Sequence, residues 1–138
     1  MQNIIITGAS HGIGRALAKK LSKKYHIINI DIVENKMDKV DFYKCDLSDK
    51  SKLLKTIEKI KTNIDSLYAL INNAALFSSK SLEKQTLEEW ENIISINLTA
   101  PYILSKEFAS FLKESQGHII NISSTRASMS EEGTEAYR

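Results

Sequence analysis

The residues with the clearest chemical potential are three glycines near the start of the chain. Gly8, Gly12 and Gly14 stand in the segment TGASHGIG, between the short apolar run Asn3–Thr7 and an amphipathic stretch. At a junction between a strand and a helix, backbone N–H groups and the positive helix end can hold a pyrophosphate. Glycines allow the tight turn, the close approach of the ligand and the close helix packing that such a site needs. We therefore interpret this segment as a nucleotide-binding loop rather than an ordinary turn.

This spacing resembles the TGxxxGxG motif of the short-chain dehydrogenase/reductase family. The resemblance assigns six residues of the loop to a cofactor site: Gly8, Ser10, His11, Gly12, Ile13 and Gly14. It implies a Rossmann-type fold and an oxidoreductase that transfers hydride between a nicotinamide cofactor and a hydroxyl or carbonyl substrate. Nucleotide-sugar epimerases of the extended branch fit less well, because their glycines usually follow TGxxGxxG spacing.

The end of the second predicted strand indicates which cofactor is preferred. Asp31 falls where a carboxylate would accept hydrogen bonds from the adenosine ribose and repel a 2′-phosphate, so we expect NAD rather than NADP. A solvated loop aspartate is the alternative explanation for this residue. His11 counts against the preference, because a basic residue at that position helps some relatives to hold NADP.

Two further segments resemble cofactor-binding positions of the family. Asp46 and Leu47 follow the third strand and match the positions beside the adenine, although Asp46 could instead act locally at the start of a helix. Residues 72–75 (NNAA) follow the fourth strand and resemble the NNAG motif, with alanine in place of glycine. Because alanine disfavours positive φ, this departure predicts slightly less backbone freedom. The resemblance assigns three of these residues to the cofactor site: Asn73, Ala74 and Ala75.

The candidate catalytic residues are identified from their spacing around the fifth strand. Tyr137 lies thirteen residues beyond Ser124, as in the family. The resemblance implies that Ser124 orients the substrate oxygen, that Tyr137 moves the proton, and that the backbone carbonyl of Asn97 holds a relay water. A serine pair at a strand end is otherwise typical of turns, and its combination with Tyr137 and the glycine loop favours catalysis.

Pro101 supports the role of Asn97 on physical grounds. In an α-helix the Asn97 carbonyl would accept a hydrogen bond from the N–H of residue 101, which a proline lacks. We therefore predict that the helix bends near Asn97 and that this carbonyl lacks an intrahelical partner. The alternative is a helix that ends at Asn97, with the proline starting a new one.

Strands and helices must alternate to position these residues. Apolar runs predict strands at residues 3–7, 26–31, 40–45, 66–71 and 118–123. Helical spacing predicts three apolar faces: Ile13, Leu17 and Leu21; Leu53, Leu54, Ile57 and Ile64; and Leu87, Trp90, Ile94 and Leu98. Ser48 can cap the second of these helices, and Thr86 with Glu89 has the form of a capping box for the third.

The alternation predicts an α/β protein with a doubly wound parallel sheet in three α/β/α layers. The resemblance gives the strand order 3-2-1-4-5 and a sheet that is incomplete at its C-terminal side. The length of 138 residues with 42% hydrophobic residues predicts one domain over residues 1–138.

Composition excludes several other classes. The charge of +2 arises from 19 basic and 17 acidic residues spread along the chain, so nucleic acid is a poor candidate partner. No apolar run is long enough for a bilayer and residues 1–6 lack signal-peptide features, so we expect a cytoplasmic protein without a membrane partner. A single cysteine, Cys45, predicts neither a disulfide nor a metal site.

The family pattern also extends beyond the residues of this sequence. The lysine of the family's YxxxK motif would fall at position 141, after Arg138, and the chain corresponds to little over half of a usual member. We expect these 138 residues alone to be inactive, and the full-length form to be a homodimer or homotetramer acting on a small alcohol or ketone. The alternative is a non-catalytic nucleotide-binding or regulatory protein, which the Ser124–Tyr137 spacing disfavours.

Overall fold

A single parallel sheet organises the molecule. A computed structural model describes residues 1–129, 132–133 and 136–137. The strands are β1 (Asn3–Thr7), β2 (His26–Asp31), β3 (Val40–Lys44), β4 (Ala69–Asn72) and β5 (His118–Asn121). They pair in the order β3-β2-β1-β4-β5, which confirms the predicted α/β class and strand order.

The first two strands have the predicted bounds and the other three differ at their ends. Strand β3 stops one residue earlier than expected and β5 two residues earlier, whereas β4 begins later and includes Asn72. Strand β4 pairs with β5 from Ala69, opposite His118, to Asn72, opposite Asn121.

The helices cover both faces of the sheet. They are α1 (Gly12–Leu21), α2 (Lys50–Lys61), α3 (Leu87–Ile94), α4 (Ala100–Glu107) and α5 (Ala109–Glu114). A π turn, Ser95–Thr99, joins α3 to α4, and a 3₁₀ turn, Thr125–Ala127, follows β5. Within the described residues, no helix combines the length and the hydrophobicity needed to span a membrane.

Alternate residues of β1 pack into the two layers of the core. Ile5 belongs to the larger apolar cluster, which includes residues of α2 and α4, whereas Ile4 and Ile6 pack with Ala18 of α1. All three isoleucines are at most 2% exposed. This is why β1 is a continuous apolar run rather than an alternating one: both of its faces are buried.

The predicted apolar faces of the helices are partly wrong. In α1, Ile13 is 65% exposed, while Gly14 and Ala18 face the sheet. In the third helix, Leu87 and Leu98 are exposed, and Ile93 of α3 is buried instead. Small residues let α1 approach the sheet closely, a signal that a search for large apolar residues does not detect.

The residues that cap the helices agree with the sequence prediction for α3 and differ from it for α2. The capping box of α3 is confirmed, with the Thr86 hydroxyl accepting from the Glu89 N–H and the Glu89 carboxylate accepting from the Thr86 N–H. The prediction for α2 is wrong, because its cap is Asp49, whose carboxylate accepts from the Lys52 N–H at 3.0 Å. Ser48 instead donates to Asp46.

Candidate functional site

The carboxyl ends of the strands surround a cavity of about 550 Å³, here called the glycine-loop cavity. The loops after β1, β2, β3 and β4 all contribute to its wall. Nine of the predicted cofactor residues line it: Gly8, His11, Gly12, Asp31, Asp46, Leu47, Asn73, Ala74 and Ala75. The structure therefore brings together residues that lie far apart in the sequence.

The glycine loop is shaped by close backbone approach. Gly8 has φ +71°, in the left-handed region that favours glycine. A Cβ on Gly14 would lie 2.3 Å from the Gly8 carbonyl oxygen, so only glycine fits there without rearrangement. The loop leads into α1, whose first turn is fully described and carries no acidic residue, and His11 makes no side-chain capping bond. The N–H groups of this turn can therefore bind an anion.

Asp31 is held in the cavity wall by two backbone donors. One carboxylate oxygen accepts from the Ser10 N–H at 3.1 Å, and the other accepts from the Ile32 N–H at 2.7 Å. The carboxylate is thus oriented by the glycine loop as well as by the residue that follows β2. It lies in the same cavity wall as His11, the residue that was expected to oppose a preference for NAD.

Asp46 has a local role, as the alternative interpretation anticipated. Its Oδ1 accepts from the Ser48 hydroxyl at 2.7 Å and from the Ser48 N–H at 2.9 Å, and these bonds lower the pKa of the carboxyl. The side chain also lines the cavity, so the local role does not exclude a ligand contact. The neighbouring Cys45 lines the same cavity, and burial raises the pKa of its thiol.

Asn73 ties the end of β4 to the glycine loop. Its Nδ2 donates to the carbonyls of Thr7 and Gly8 at 3.1 and 3.2 Å. In return, the Thr7 hydroxyl accepts the N–H groups of Asn73 and Ala74, each at 3.0 Å. Thr7 was not among the predicted site residues, although it begins the glycine motif and could have been found there.

A second cavity of about 540 Å³, here called the tyrosine cavity, contains the candidate catalytic residues. Asn97, Ser124 and Tyr137 all line it. Ala74 and Ala75 line both cavities, so the two spaces adjoin at the end of β4. The structure therefore places the three predicted catalytic residues beside the predicted cofactor residues.

Ser124 and Tyr137 have different structural surroundings. The Ser124 hydroxyl accepts from the Arg126 N–H at 3.2 Å and caps the 3₁₀ turn, which is the turn chemistry expected of a serine at a strand end. Its position in the tyrosine cavity is compatible with a second contact. The ring of Tyr137 meets the edge of Phe77, with 5.2 Å between the ring centroids.

The side chain of Asn97 bonds the backbone of Leu76 through both its oxygen and its nitrogen. Its Oδ1 accepts from the Leu76 N–H at 2.7 Å and its Nδ2 donates to the Leu76 carbonyl at 2.9 Å. Asn97 lies within the π turn, where the Ala100 N–H reaches the Ser95 carbonyl five residues back. Helix α4 then begins with Pro101 in its first turn, close to the alternative in which a new helix starts there. A bend and an unpartnered Asn97 carbonyl stay predictions.

Three predicted cofactor residues do not line the glycine-loop cavity. Ser10 is fully buried and Gly14 packs beneath the loop, whereas the Ile13 side chain is exposed. Their roles as ligand contacts stay predictions. In the described part of the chain, no cluster of three His, Cys, Asp or Glu residues could hold a metal ion.

Comparison with known proteins identifies the family. A family model described as short chain dehydrogenase matches residues 2–138. The chain belongs to this family. It is 38% identical over 147 aligned positions to an uncharacterized oxidoreductase of Thermotoga maritima, covering 96% of this short-chain dehydrogenase chain and 57% of that protein. The chain thus spans less than two thirds of that relative's length.

Solved structures show the same fold. A 4-hydroxyisoleucine dehydrogenase complexed with NADH superimposes with a TM-score of 0.92 and is 31% identical, over 99% of this short-chain dehydrogenase chain and 62% of that one. A metagenomic short-chain oxidoreductase in complex with NADP gives a TM-score of 0.87 and 28% identity, over 99% of this chain and 67% of that one.

Proposed function

We propose that this chain forms the dinucleotide-binding part of an oxidoreductase that transfers hydride between a nicotinamide cofactor and a carbon bearing a hydroxyl or carbonyl group. The observation that carries the proposal is that the two cavities adjoin at Ala74 and Ala75. A dinucleotide extending from the glycine loop across this junction would bring its reactive end beside Ser124 and Tyr137.

The residues of the glycine-loop cavity suit a dinucleotide. The first turn of α1 offers N–H groups to a pyrophosphate. The space beside Gly12 is open, because no atom beyond its chain neighbours lies within 4 Å of the place where a Cβ would stand. The cavity volume of about 550 Å³ falls in the range usual for cofactor sites. The two solved relatives, one with NADH and one with NADP, support a nicotinamide cofactor without deciding between these two.

We further propose that NAD is preferred over NADP. The Asp31 carboxylate is fixed in the cavity wall, where it can accept hydrogen bonds from ribose hydroxyls and repel a 2′-phosphate. His11 is the one basic side chain among the described residues of this wall, and it is the residue that opposes the preference.

The residues of the tyrosine cavity supply the proton chemistry. When bound, a nicotinamide would accept or supply the hydride. In alcohol oxidation the substrate carbon would lose that hydride and the substrate hydroxyl would give its proton to the deprotonated oxygen of Tyr137, and ketone reduction would reverse both transfers. Ser124 donates its hydroxyl hydrogen to the substrate oxygen and so orients it. The family resemblance implies that Asn97 would hold a water through its backbone carbonyl, while its side chain bonds the Leu76 backbone.

The deciding experiment compares two tyrosines that line the same cavity, Tyr137 and Tyr102. Binding is followed by nicotinamide fluorescence and turnover by NADH absorbance with a panel of ketones and secondary alcohols. We expect Tyr137→Phe to bind NADH normally and to lose turnover by about 10²–10⁴-fold, the usual cost of losing a general acid/base. Tyr102→Phe should retain most of its turnover.

Each outcome of this experiment has a clear meaning. Failure of the unmodified full-length protein to bind either nucleotide would overturn the proposal. Nucleotide binding without turnover on any substrate would favour a non-catalytic nucleotide-binding protein. Equal loss in both tyrosine variants would show that Tyr137 has no special role.

A further inference from the structure

A buried polar network joins the glycine loop to β2. Its centre is formed by Asn29 and Ser10, which are 1% and 0% exposed. The Asn29 Oδ1 accepts from the Ala9 N–H at 2.9 Å, and the Asn29 Nδ2 donates to the Ser10 hydroxyl oxygen at 2.9 Å. Both polar groups of this buried amide are therefore used within the protein.

Ser10 extends the network to the segment that follows β2. Its hydroxyl donates to the Val33 carbonyl, and its N–H donates to the Asp31 carboxylate at 3.1 Å. The Asn35 Nδ2 donates to the Ser10 carbonyl at 2.9 Å. A single residue of the glycine loop thus contacts three residues of the segment 31–35.

Hydrogen bonds hold this segment more firmly than packing does. Ile32 and Val33 are 58% and 51% exposed. A cavity of about 310 Å³ also lies beside the segment, lined by Asn29, residues 34–38, Val40 and Phe42. Because Ile32 and Val33 are largely exposed and a cavity lies beside the segment, loss of the network would allow the segment to shift.

We propose that Asn29, acting through Ser10, is a positioning residue that fixes the Asp31 carboxylate and thereby sets the discrimination between dinucleotides with and without a 2′-phosphate. The proposal rests on the proposed function and adds a residue that does not itself line the glycine-loop cavity. The sequence signal for it is a single asparagine within the apolar strand HIINID.

The physical effect of removing the amide can be followed bond by bond. A leucine at position 29 would leave the buried Ala9 N–H without its acceptor and would take one donor from the Ser10 hydroxyl. A buried donor without a partner is costly, so the loop would move to pair it with water or another group. Asp31 would then lose the orientation that the Ser10 N–H provides, which weakens both ribose binding and repulsion of a 2′-phosphate.

The test measures dissociation constants of NADH and NADPH for the full-length protein and three variants. Asn29→Leu removes the amide, and Ser10→Ala removes only the hydroxyl, with less risk to folding. Asn3→Leu is the matched control, because the Asn3 amide donates to the Ser66 carbonyl at 2.9 Å, at the opposite end of the sheet. Melting temperatures separate a general loss of stability from a change in specificity.

We expect the NADPH-to-NADH ratio of dissociation constants to fall about tenfold in Asn29→Leu, the effect of losing about one hydrogen bond to a charged group. Ser10→Ala should change the ratio in the same direction by a smaller factor, and Asn3→Leu should leave it unchanged. Amide hydrogen exchange of residues 32–35 should accelerate in the first two variants only.

The failures of the two proposals are distinguishable. An unmodified protein that binds neither dinucleotide would overturn the proposed function itself. Normal binding with an unchanged ratio in both Asn29→Leu and Ser10→Ala would overturn only the positioning role. If Asn29→Leu does not fold, the Ser10→Ala ratio decides. An equal change of the ratio in Asn3→Leu would also contradict the proposal, because it would reduce the effect to general destabilisation.

Discussion

The Asp31 carboxylate is fixed by backbone hydrogen bonds, and it is the group on which the proposed cofactor preference depends. Its two oxygens receive one backbone N–H each, from Ser10 and from Ile32. A carboxylate has about four acceptor sites, so these two bonds leave capacity for ribose hydroxyls. The sequence predicted the position of Asp31 at the end of β2, but not its tie to Ser10, because that bond joins residues that are 21 positions apart.

Replacing Asp31 should therefore change cofactor selection more than folding. We expect Asp31→Ala to weaken NADH binding about tenfold and to narrow the gap to NADPH, because a ribose acceptor and a repelling charge are both lost. Asp38→Ala is the control, since Asp38 is an exposed acid of the connection between β2 and β3 and lies outside the glycine-loop cavity. Fluorescence titrations measure both affinities, and equal or tighter NADPH binding by the unmodified protein would contradict the assignment.

At the scale of elements, the π turn matters because it carries Asn97 to the chain that follows β4. Two hydrogen bonds between the Asn97 amide and the Leu76 backbone join these elements, and Leu76 lies beside both Ala75 and Phe77. The turn thereby supports the segment at which the two cavities adjoin.

Removing the Asn97 amide should loosen that segment. We expect Asn97→Ala to cost about 1–3 kcal/mol of stability, as for loss of two typical hydrogen bonds, and to reduce turnover by a larger factor than NADH affinity. Asn63→Ala is the control, because its amide bonds the Tyr43 hydroxyl at an exposed site. Faster amide exchange at residues 75–77 should accompany the loss, and unchanged exchange with normal turnover would refute the role.

An ion pair links helices α2 and α4 on the other side of the sheet from α1. Lys61 contacts Glu107 at 2.9 Å and Glu58 at 3.0 Å. The Lys61 ammonium lowers the pKa of Glu107 from its ordinary 4.5, and Glu107 in turn raises the pKa of Lys61 from 10.5. Because the folded-state pKa of the carboxyl is depressed, the pair stabilises the fold when the pH is above the ordinary pKa of a glutamate. This contribution is lost as the pH falls through the lower pKa of the folded state.

Acid should therefore remove the difference in stability between the unmodified protein and Glu107→Gln. At neutral pH we expect the unmodified protein to unfold at a slightly higher urea concentration, by a small margin because both side chains of the pair are only partly buried. The margin should shrink as the pH falls below about 4.5, while Lys61 stays charged. Glu91→Gln serves as the control on α3, and a margin that persists at low pH would exclude Lys61–Glu107 as its source.

The elements were predictable from the sequence to the extent that large apolar residues mark them. Strands β1 and β2 are buried runs of isoleucine, and their bounds matched. Helix faces were harder, because Gly14 and Ala18 carry the packing of α1 while Ile13 points outward. The glycine-loop cavity itself could not be predicted, since it forms only where loops from four strands meet.

At the scale of the whole molecule, the strand order explains why the site forms where it does. In the order β3-β2-β1-β4-β5, the chain reverses direction across the sheet between β1 and β4. The loops after these two strands leave toward opposite sides and open a crevice at the carboxyl edge, the usual ligand site of such sheets. Gly8 and Ala74 face each other across this point, where a Cβ on Gly8 would lie 3.0 Å from the Ala74 Cα.

Strand β5, at one edge of the sheet, is exposed to solvent. All four residues of β5 are exposed, and Ile119, Ile120 and Ile122 are between 41% and 46% exposed. Among the described residues, no lysine or arginine lines the tyrosine cavity. Positive charge near a phenol helps such a group to act as a general acid/base.

Residues 1–138 expressed alone should self-associate and show no turnover. The exposed edge and isoleucines of β5 favour association. Because no lysine or arginine stands among the described residues of the tyrosine cavity, we expect loss of the general acid/base contribution of about 10²–10⁴-fold. Sedimentation measures the association, and NADH absorbance with ketones and secondary alcohols measures turnover, both compared with a form extended beyond residue 138. Ile120→Lys, on the exposed strand, should reduce self-association without restoring activity. Turnover by the 138 residues equal to that of the extended form would show that Tyr137 is not the proton-transferring group.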